Sequence, residues 1–244
     1  MTVDVRVIGS GSSEKISLNN ECKYVFCNSS VVRAKPSISS AYGLVISDGI
    51  LQTDKELCSH PPAIGLSSDE SLQMRRLKRQ SLYGLHINNL VVNTDKTRAE
   101  IKKKIRNLKM TYDNLILLDS KARAKLVVDY FGVEIFSVVF RIGLIDACKF
   151  ILTFIVPIHY KPPSSIRAST GMLAYLWAQK HFNSMRKIIL DGIGDGSTAY
   201  YPGKNRQYNP VVFNKAHVID DYIFEKYNRL RKTSFEYLDR SSKK

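Results

Sequence analysis

A chain of 244 residues with 44% hydrophobic and 24% charged side chains can bury a substantial core, which excludes disordered, collagenous and fibrous classes. At roughly 150 residues per domain, the length fits one domain spanning residues 1–244. Thirty-seven Lys and Arg against 22 Asp and Glu leave a net charge of +15, a field that favours phosphates, nucleic acid or an anionic membrane face without choosing among them.

The first eight residues alternate charged and apolar side chains and do not read as a secretory leader. The run "VDVRVIGSGSS" is a β-branched strand ending in a glycine-serine turn, the form of a strand feeding a phosphate-side loop. "CKYVFCNSSVV" repeats the pattern at Tyr24 to Asn28, and "YGLVISDGIL" repeats it at Leu44 to Asp48. Ligands of open α/β sheets sit outside the carboxyl ends of the strands, so Ser10, Asn28 and Ser47 or Asp48 are expected to line one crevice. The first turn, Gly9 to Glu14, contains Gly11 but has Glu14 where a dinucleotide fingerprint has its third glycine. Asn28 also stands where an NAD-binding chain would carry an acid, so a nucleotide fits better than a dinucleotide.

Leu85 to Asn93 and Asn114 to Lys121 read as further strands, separated by the helical "KTRAEIKKKIRNLK". "SVVFRIGLIDACKFILTFIVPI" is apolar and ambiguous between buried helix and strand, and its longest apolar run, "FILTFIVPI" from Phe150, falls well short of the roughly 20 residues of a membrane span. The prolines of "HYKPPSSIR" then break regular structure ahead of Arg167. From Ser169, "STGMLAYLWAQKHF" predicts a helix whose amino end can hold an anion. "RKIILDGIG" returns as a strand, a loop with tyrosines follows, and "HVIDDYIFEKYNRLRK" predicts a basic amphipathic helix over about 217–240. The alternation gives the expected fold class: α/β, a Rossmann-like open and mostly parallel sheet with helices on both faces. Cys22, Cys27, Cys58 and Cys148 lack paired spacing and read as reduced, buried structural thiols.

The segment "IRASTGMLAYLWAQKHFNSMRKIILDGIG" resembles the CMP-sialic-acid-dependent sialyltransferases, which carry Arg-x-[ST]-[ST]-Gly opening a helix and then a strand ending Gly-Ile-Asp. Arg167, Ser169, Thr170 and Gly171 match the first motif, and Gly192 and Ile193 match the second. Gly194 replaces the family's acid, with Asp195 one place later. Asn28 matches a family asparagine after the second strand, while Ser10 and Ser47 stand where the family has asparagines. The resemblance implies a GT-A-like variant of the fold with a lid at about 195–216. It further implies an inverting glycosyltransferase that moves a 2-keto sugar acid, sialic acid or Kdo, from its CMP donor to a cell-surface glycan.

On that reading Ser10, Gly11, Asn28, Ser47, Ser169, Thr170, Gly171, Gly192 and Asp195 bind the donor, and Arg167 acts at the reacting centre. Tyr200 and Tyr201 correspond to the family's lid tyrosines, which stabilise the departing phosphate. His217 falls where the family places its general base, a role suited to a group with an ordinary pKa of about 6.5. His60, His86, His159 and His181 have the ordinary reading of surface or core histidines, with His159 in reserve. No Asp-x-Asp ends a strand, and Asp220 and Asp221 lie within a helical pattern, so no metal or other cofactor is expected. The expected partners are the CMP-activated donor and a glycan acceptor.

Basic stretches at Arg75, at Lys96 and at the C-terminus lead to a further expectation: a cytoplasmic protein held peripherally on the inner face of the membrane. A nucleic-acid-binding protein using the same basic surface is the alternative function.

Overall fold

The computed structural model describes residues 4–9, 16–18, 21–34, 40–59, 67–156, 162–182, 187–193 and 218–241. Six parallel strands form one sheet: β1 (Asp4–Ile8), β2 (Cys22–Cys27), β3 (Ser40–Ser47), β4 (His86–Asn93), β5 (Thr111–Leu118) and β6 (Ile188–Asp191). Their spatial order is β5-β4-β3-β2-β1-β6. The chain therefore steps outward from β1 to β5, then returns to place β6 on the free side of β1. That reversal makes the β1/β6 boundary the topological switch point, where adjacent connections leave the sheet on opposite faces.

The helices obey this geometry. Ile101 and Ile105 of α3 (Arg98–Asn107) pack with Phe26, Leu44, Ile46, Leu90 and Val92 on one face. The opposite face, with Val5, Val7, Val25, Val45 and Val91, is covered by helices that come after β5. These are α4 (Ser120–Phe131), α5 (Glu134–Ile142), α6 (Leu144–Ile155), α7 (Thr170–Phe182) and α8 (Ile219–Ser241). Alternate residues of β2, β3 and β4 thus enter different cores, which is why these strands are apolar without interruption. The expected α/β class with helices on both faces is what the chain forms.

Local sequence sets several boundaries. Thr53, Ser67 and Thr97 accept hydrogen bonds on their side chains from the amides of Glu56, Glu70 and Glu100 respectively, and each glutamate carboxylate accepts one from the amide of its cap, opening α1 (Asp54–Cys58), α2 (Ser68–Gln80) and α3. The ambiguous apolar stretch after β5 is helical, and Gly143, at φ 156°, breaks it into α5 and α6.

Among the cysteines, Cys27 is buried and Cys22 half-buried, but Cys58 and Cys148 are exposed, so the expectation of four buried thiols is corrected. Cys58 ends the short helix α1, and Cys148 sits on the outer side of α6, where neither faces a core. Burial pushes the Cys27 thiol up to about 12, consistent with an inert side chain.

One surface pair sets a pH dependence. Lys104 donates to both Glu56 carboxylate oxygens, at 2.7 and 3.0 Å, and the Thr53 amide donates at 2.7 Å. The lysine hydrogen bond foremost, then the Thr53 amide, pulls Glu56 from 4.5 to about 2. A depressed carboxylate stabilises the fold above its unfolded pKa, and that contribution fades as pH falls from about 4.5 toward 2. Because 41% of the Glu56 side chain is exposed, solvent screening limits the pair to about 1 kcal/mol or less. Glu56→Gln is expected to lower the urea midpoint near neutral pH and to leave it unchanged at about pH 2, checked by denaturation at both.

Candidate functional site

The carboxyl ends of the strands form a polar rim, with the switch point at its β1/β6 end. There the Gly9 amide donates to the Asp191 carbonyl at 2.7 Å, drawing the ends of β1 and β6 together. A Cβ on Gly9 would stand 2.2 Å from the Gly192 carbonyl oxygen, so only glycine fits. Gly192 adopts φ 65°, which turns the chain sharply away from β6.

Arg33 secures this junction. It is 5% exposed, with Nη1 donating to the Gly9 carbonyl at 2.8 Å and Nη2 to Asp191 Oδ1 at 2.7 Å. The 3₁₀ turn Asn28–Arg33 aims it there, and Ser30 in the same turn donates to the Ile8 carbonyl at 2.7 Å. A turn read from sequence only for Asn28 thus also supplies the clamp on the end of β1.

Asn28 and Ser47 are brought together at the tips of the neighbouring strands β2 and β3. Asn28, at φ 51°, accepts a hydrogen bond from the Ser47 amide on Oδ1 at 3.1 Å. Asp48 pairs with Lys96 at 3.2 Å and accepts from Thr94 Oγ1 at 3.2 Å, joining the tips of β3 and β4.

Arg167, Ser169, Thr170 and Gly171 occupy the approach to α7 and its first turn. Gly171 lies against Ile193: a Cβ there would meet the isoleucine side chain at 3.4 Å. Segments more than twenty residues apart, 167–171 and 192–193, therefore meet beside the switch point. The amino end of α7 differs from expectation in one respect, because the Ser169 amide already donates to Asp220 Oδ1 at 3.0 Å. Ser169 Oγ caps the Met172 amide at 3.4 Å. The Thr170 and Gly171 amides have no hydrogen-bond partner among the described residues and remain as the donors an anion could use.

Asp220 lies within α8, as expected, in its first turn. The Ile219 amide donates to the Ser165 carbonyl at 2.9 Å, so the start of α8 is pinned to the loop that bears Arg167 and to the start of α7. Tyr175 of α7 packs edge-on against Tyr227 of α8 with ring centroids 5.5 Å apart, fixing the same arrangement farther along.

Arg123 is a site residue that sequence reading missed. Its side chain is 11% exposed and pairs with Asp95 at 3.1 Å, Ser120 Oγ at 2.7 Å and the Asn93 side chain. Burial above all lowers its pKa; Asp95 opposes the shift and the charge of Arg167 adds to it. Arg123 is thus held beside the tips of β4 and β5 with Asp95 as its counter-ion. The signal for Arg123 was the Asp119–Ser120 helix start at the tip of β5, since Asp119 Oδ1 caps the Ala122 amide at 2.7 Å.

His86 and His181 lie at the other end of the sheet. His86 begins β4 and meets Thr111 at 2.9 Å, while His181 stacks on Trp177 and meets the Tyr42 hydroxyl at 3.2 Å. Burial, followed by the nearby charge of Lys23, lowers the pKa of His181. Ser10, Gly11, His60, His159, Asp195, Tyr200, Tyr201 and His217, together with the lid at about 195–216, lie outside the described residues. Among the described residues no cluster of His, Cys, Asp and Glu is arranged to hold a metal ion. Comparison with family models, with curated proteins and with solved structures finds no match to this chain.

Proposed function

We propose that the chain is a metal-independent, inverting glycosyltransferase that moves a 2-keto sugar acid, sialic acid or Kdo, from its CMP donor to a glycan hydroxyl. The observation that supports this most is the meeting of segments 167–171 and 192–193 at the switch point. These two segments hold the sialyltransferase-like motifs, and in open α/β sheets ligands bind at that boundary.

In this reading the donor's sugar carboxylate and phosphate are anions drawn to Arg167 and Arg123 and to the amides of Thr170 and Gly171. The acceptor oxygen attacks the anomeric carbon as the bond to the phosphate oxygen breaks, and CMP leaves with the electron pair. His217 takes the acceptor's proton, and Tyr200 and Tyr201 donate to the departing phosphate. His217 stands two residues before Ile219, the first residue of α8, and that helix start is tied to the Arg167 loop through Ser165.

Calorimetric and thermal-shift titration with CMP tests the donor assignment, with UMP, NAD and S-adenosylmethionine as controls and EDTA throughout. CMP-selective binding is the expected result, and it leads directly to turnover assays with CMP-sialic acid and CMP-Kdo. No response to CMP overturns the reading, and salt-dependent retention of generic DNA or RNA would then favour the nucleic-acid alternative. His217→Ala is expected to cut turnover about 10²- to 10⁴-fold with CMP affinity unchanged, and an unchanged rate rejects the base assignment.

A further inference from the structure

Helices α5 and α6 are apolar on two sides. Ile135, Val138 and Val139 of α5 and Ala147 and Phe150 of α6 enter the core, as an amphipathic helix requires. Their outer sides are apolar as well. Val133, just before α5, is 89% exposed, and Phe136 and Phe140 follow at helical spacing, both at least half exposed. On α6, Ile145 is 71% exposed and Ile155 69%, with Leu152 between them. Cys148, also exposed, completes the three- and four-residue steps of the α6 stripe. Singly exposed apolar residues are ordinary on a protein surface, but an outer apolar stripe on each of two helices that pack on one another marks a contact surface.

The charges around the stripe indicate what covers it. From residue 133 to 156 there are four charged side chains. The two acids are engaged elsewhere: Glu134 pairs with Lys226 at 3.1 Å and Arg229 at 3.2 Å, and Asp146 accepts from Ser165 Oγ at 2.5 Å. The two bases, Arg141 and Lys149, are exposed and have no ion pair among the described residues. Helix α8, packed on α5, adds exposed Arg229, Leu230 and Arg231. The surface is thus apolar, bordered by cations, on a chain of net charge +15. A second copy would bring the same charge to the interface and be repelled, whereas an anionic bilayer satisfies both the apolar stripe and its cationic border.

We propose that α5 and α6 form a monotopic docking surface for an anionic lipid bilayer, with their outer stripe immersed at the boundary between headgroups and acyl chains. The helices lie in the interface and do not cross it: α6 has 12 residues, against roughly 20 for a span, and no helix among the described residues is long and apolar enough to cross a membrane. Asp146 of α6 holds Ser165 in the loop that bears Arg167, so the docked helices also anchor one side of the candidate site. The membrane contact does not rest on the transferase reading. Where both hold, the acceptor is a lipid-linked glycan reached from the same bilayer.

The test is flotation of the full chain with vesicles of phosphatidylcholine alone or mixed with phosphatidylglycerol, at low and high salt. The wild-type chain is expected to float with the mixed vesicles and to retain part of that binding at high salt. Combining Phe136→Ser, Phe140→Ser and Ile145→Ser is expected to weaken vesicle affinity by roughly tenfold or more with thermal melting unchanged. Arg141→Ser with Lys149→Ser is expected to remove the preference for phosphatidylglycerol. A second readout needs no stripe substitution: a polarity-sensitive dye on Cys148, in a Cys58→Ser background, is expected to shift to the blue when mixed vesicles are added. Failure of the wild-type chain to float, equal flotation of the triple-serine variant, or an unshifted dye overturns the proposal. Light scattering that shows a wild-type dimer dissociated by the triple substitution, with no flotation, assigns the stripe to a second copy instead.

Discussion

Gly9→Ala is expected to destabilise the protein by about 3 kcal/mol or more, lowering Tm by roughly 6–12 °C for a chain of this size. The reason is steric and local. The added methyl would stand 2.2 Å from the Gly192 carbonyl oxygen and 2.5 Å from the Ile193 side chain. One of these obstacles is backbone, held by the hydrogen bond from Gly9 to Asp191 at 2.7 Å, so the ends of β1 and β6 must separate to admit it. Gly171→Ala is the control from the other side of the same junction. Its methyl would meet only the Ile193 side chain at 3.4 Å, and alanine is the better helix former, so the change is expected to fall within about 1 kcal/mol of zero. Thermal melting of both variants decides the matter. Equal effects at the two positions would mean that β1 and β6 do not approach as closely as described.

Arg33→Met is expected to cost about 3 kcal/mol, at the lower end for a broken buried ion pair because 30% of the Asp191 side chain remains exposed. Methionine keeps the apolar length of the side chain while removing every donor. The substitution leaves the Gly9 carbonyl without its arginine donor and Asp191 without its countercharge, in the place where the two strand ends meet. Asp191→Asn in the Arg33→Met background should then cost little more, since the charge it removes is already unpaired. A double-mutant cycle from urea midpoints measures this directly, and additive effects of the two substitutions would reject the coupling. Both variants act on the end of β1, so weakened CMP binding is expected alongside lost stability if the switch point holds the donor.

Much of the fold was legible because burial repeats along the chain. The β-branched runs at Val5, Tyr24, Leu44 and Leu90 could be read as strands because both faces of a parallel sheet are covered, and the strands are apolar throughout. Segments 167–171 and 192–193 stood out by their residue types and order. The capping boxes opening α1 and α2 were equally open to reading, since a Ser or Thr three residues before a Glu announces its own geometry. The stretch around Phe140 and Phe150 was ambiguous for a physical reason: its helices are apolar toward the core and apolar outward, so no single period dominates.

The sequence by itself determined which segments are strands, where their polar ends fall, and that the chain is strongly cationic. Those properties follow from local propensity, burial pattern and charge count, none of which requires knowing what lies across space. Only the tertiary structure decided that β6 returns beside β1, that Arg33 clamps Gly9 to Asp191, and that Asp220 takes the Ser169 amide at the start of α7. Arg33 alone joins residues 24 and 158 positions away, and Asp220 reaches 51 positions back to Ser169. Such contacts are selected by the order of strands in the sheet and by the need to satisfy buried polar groups, and no local pattern records that choice.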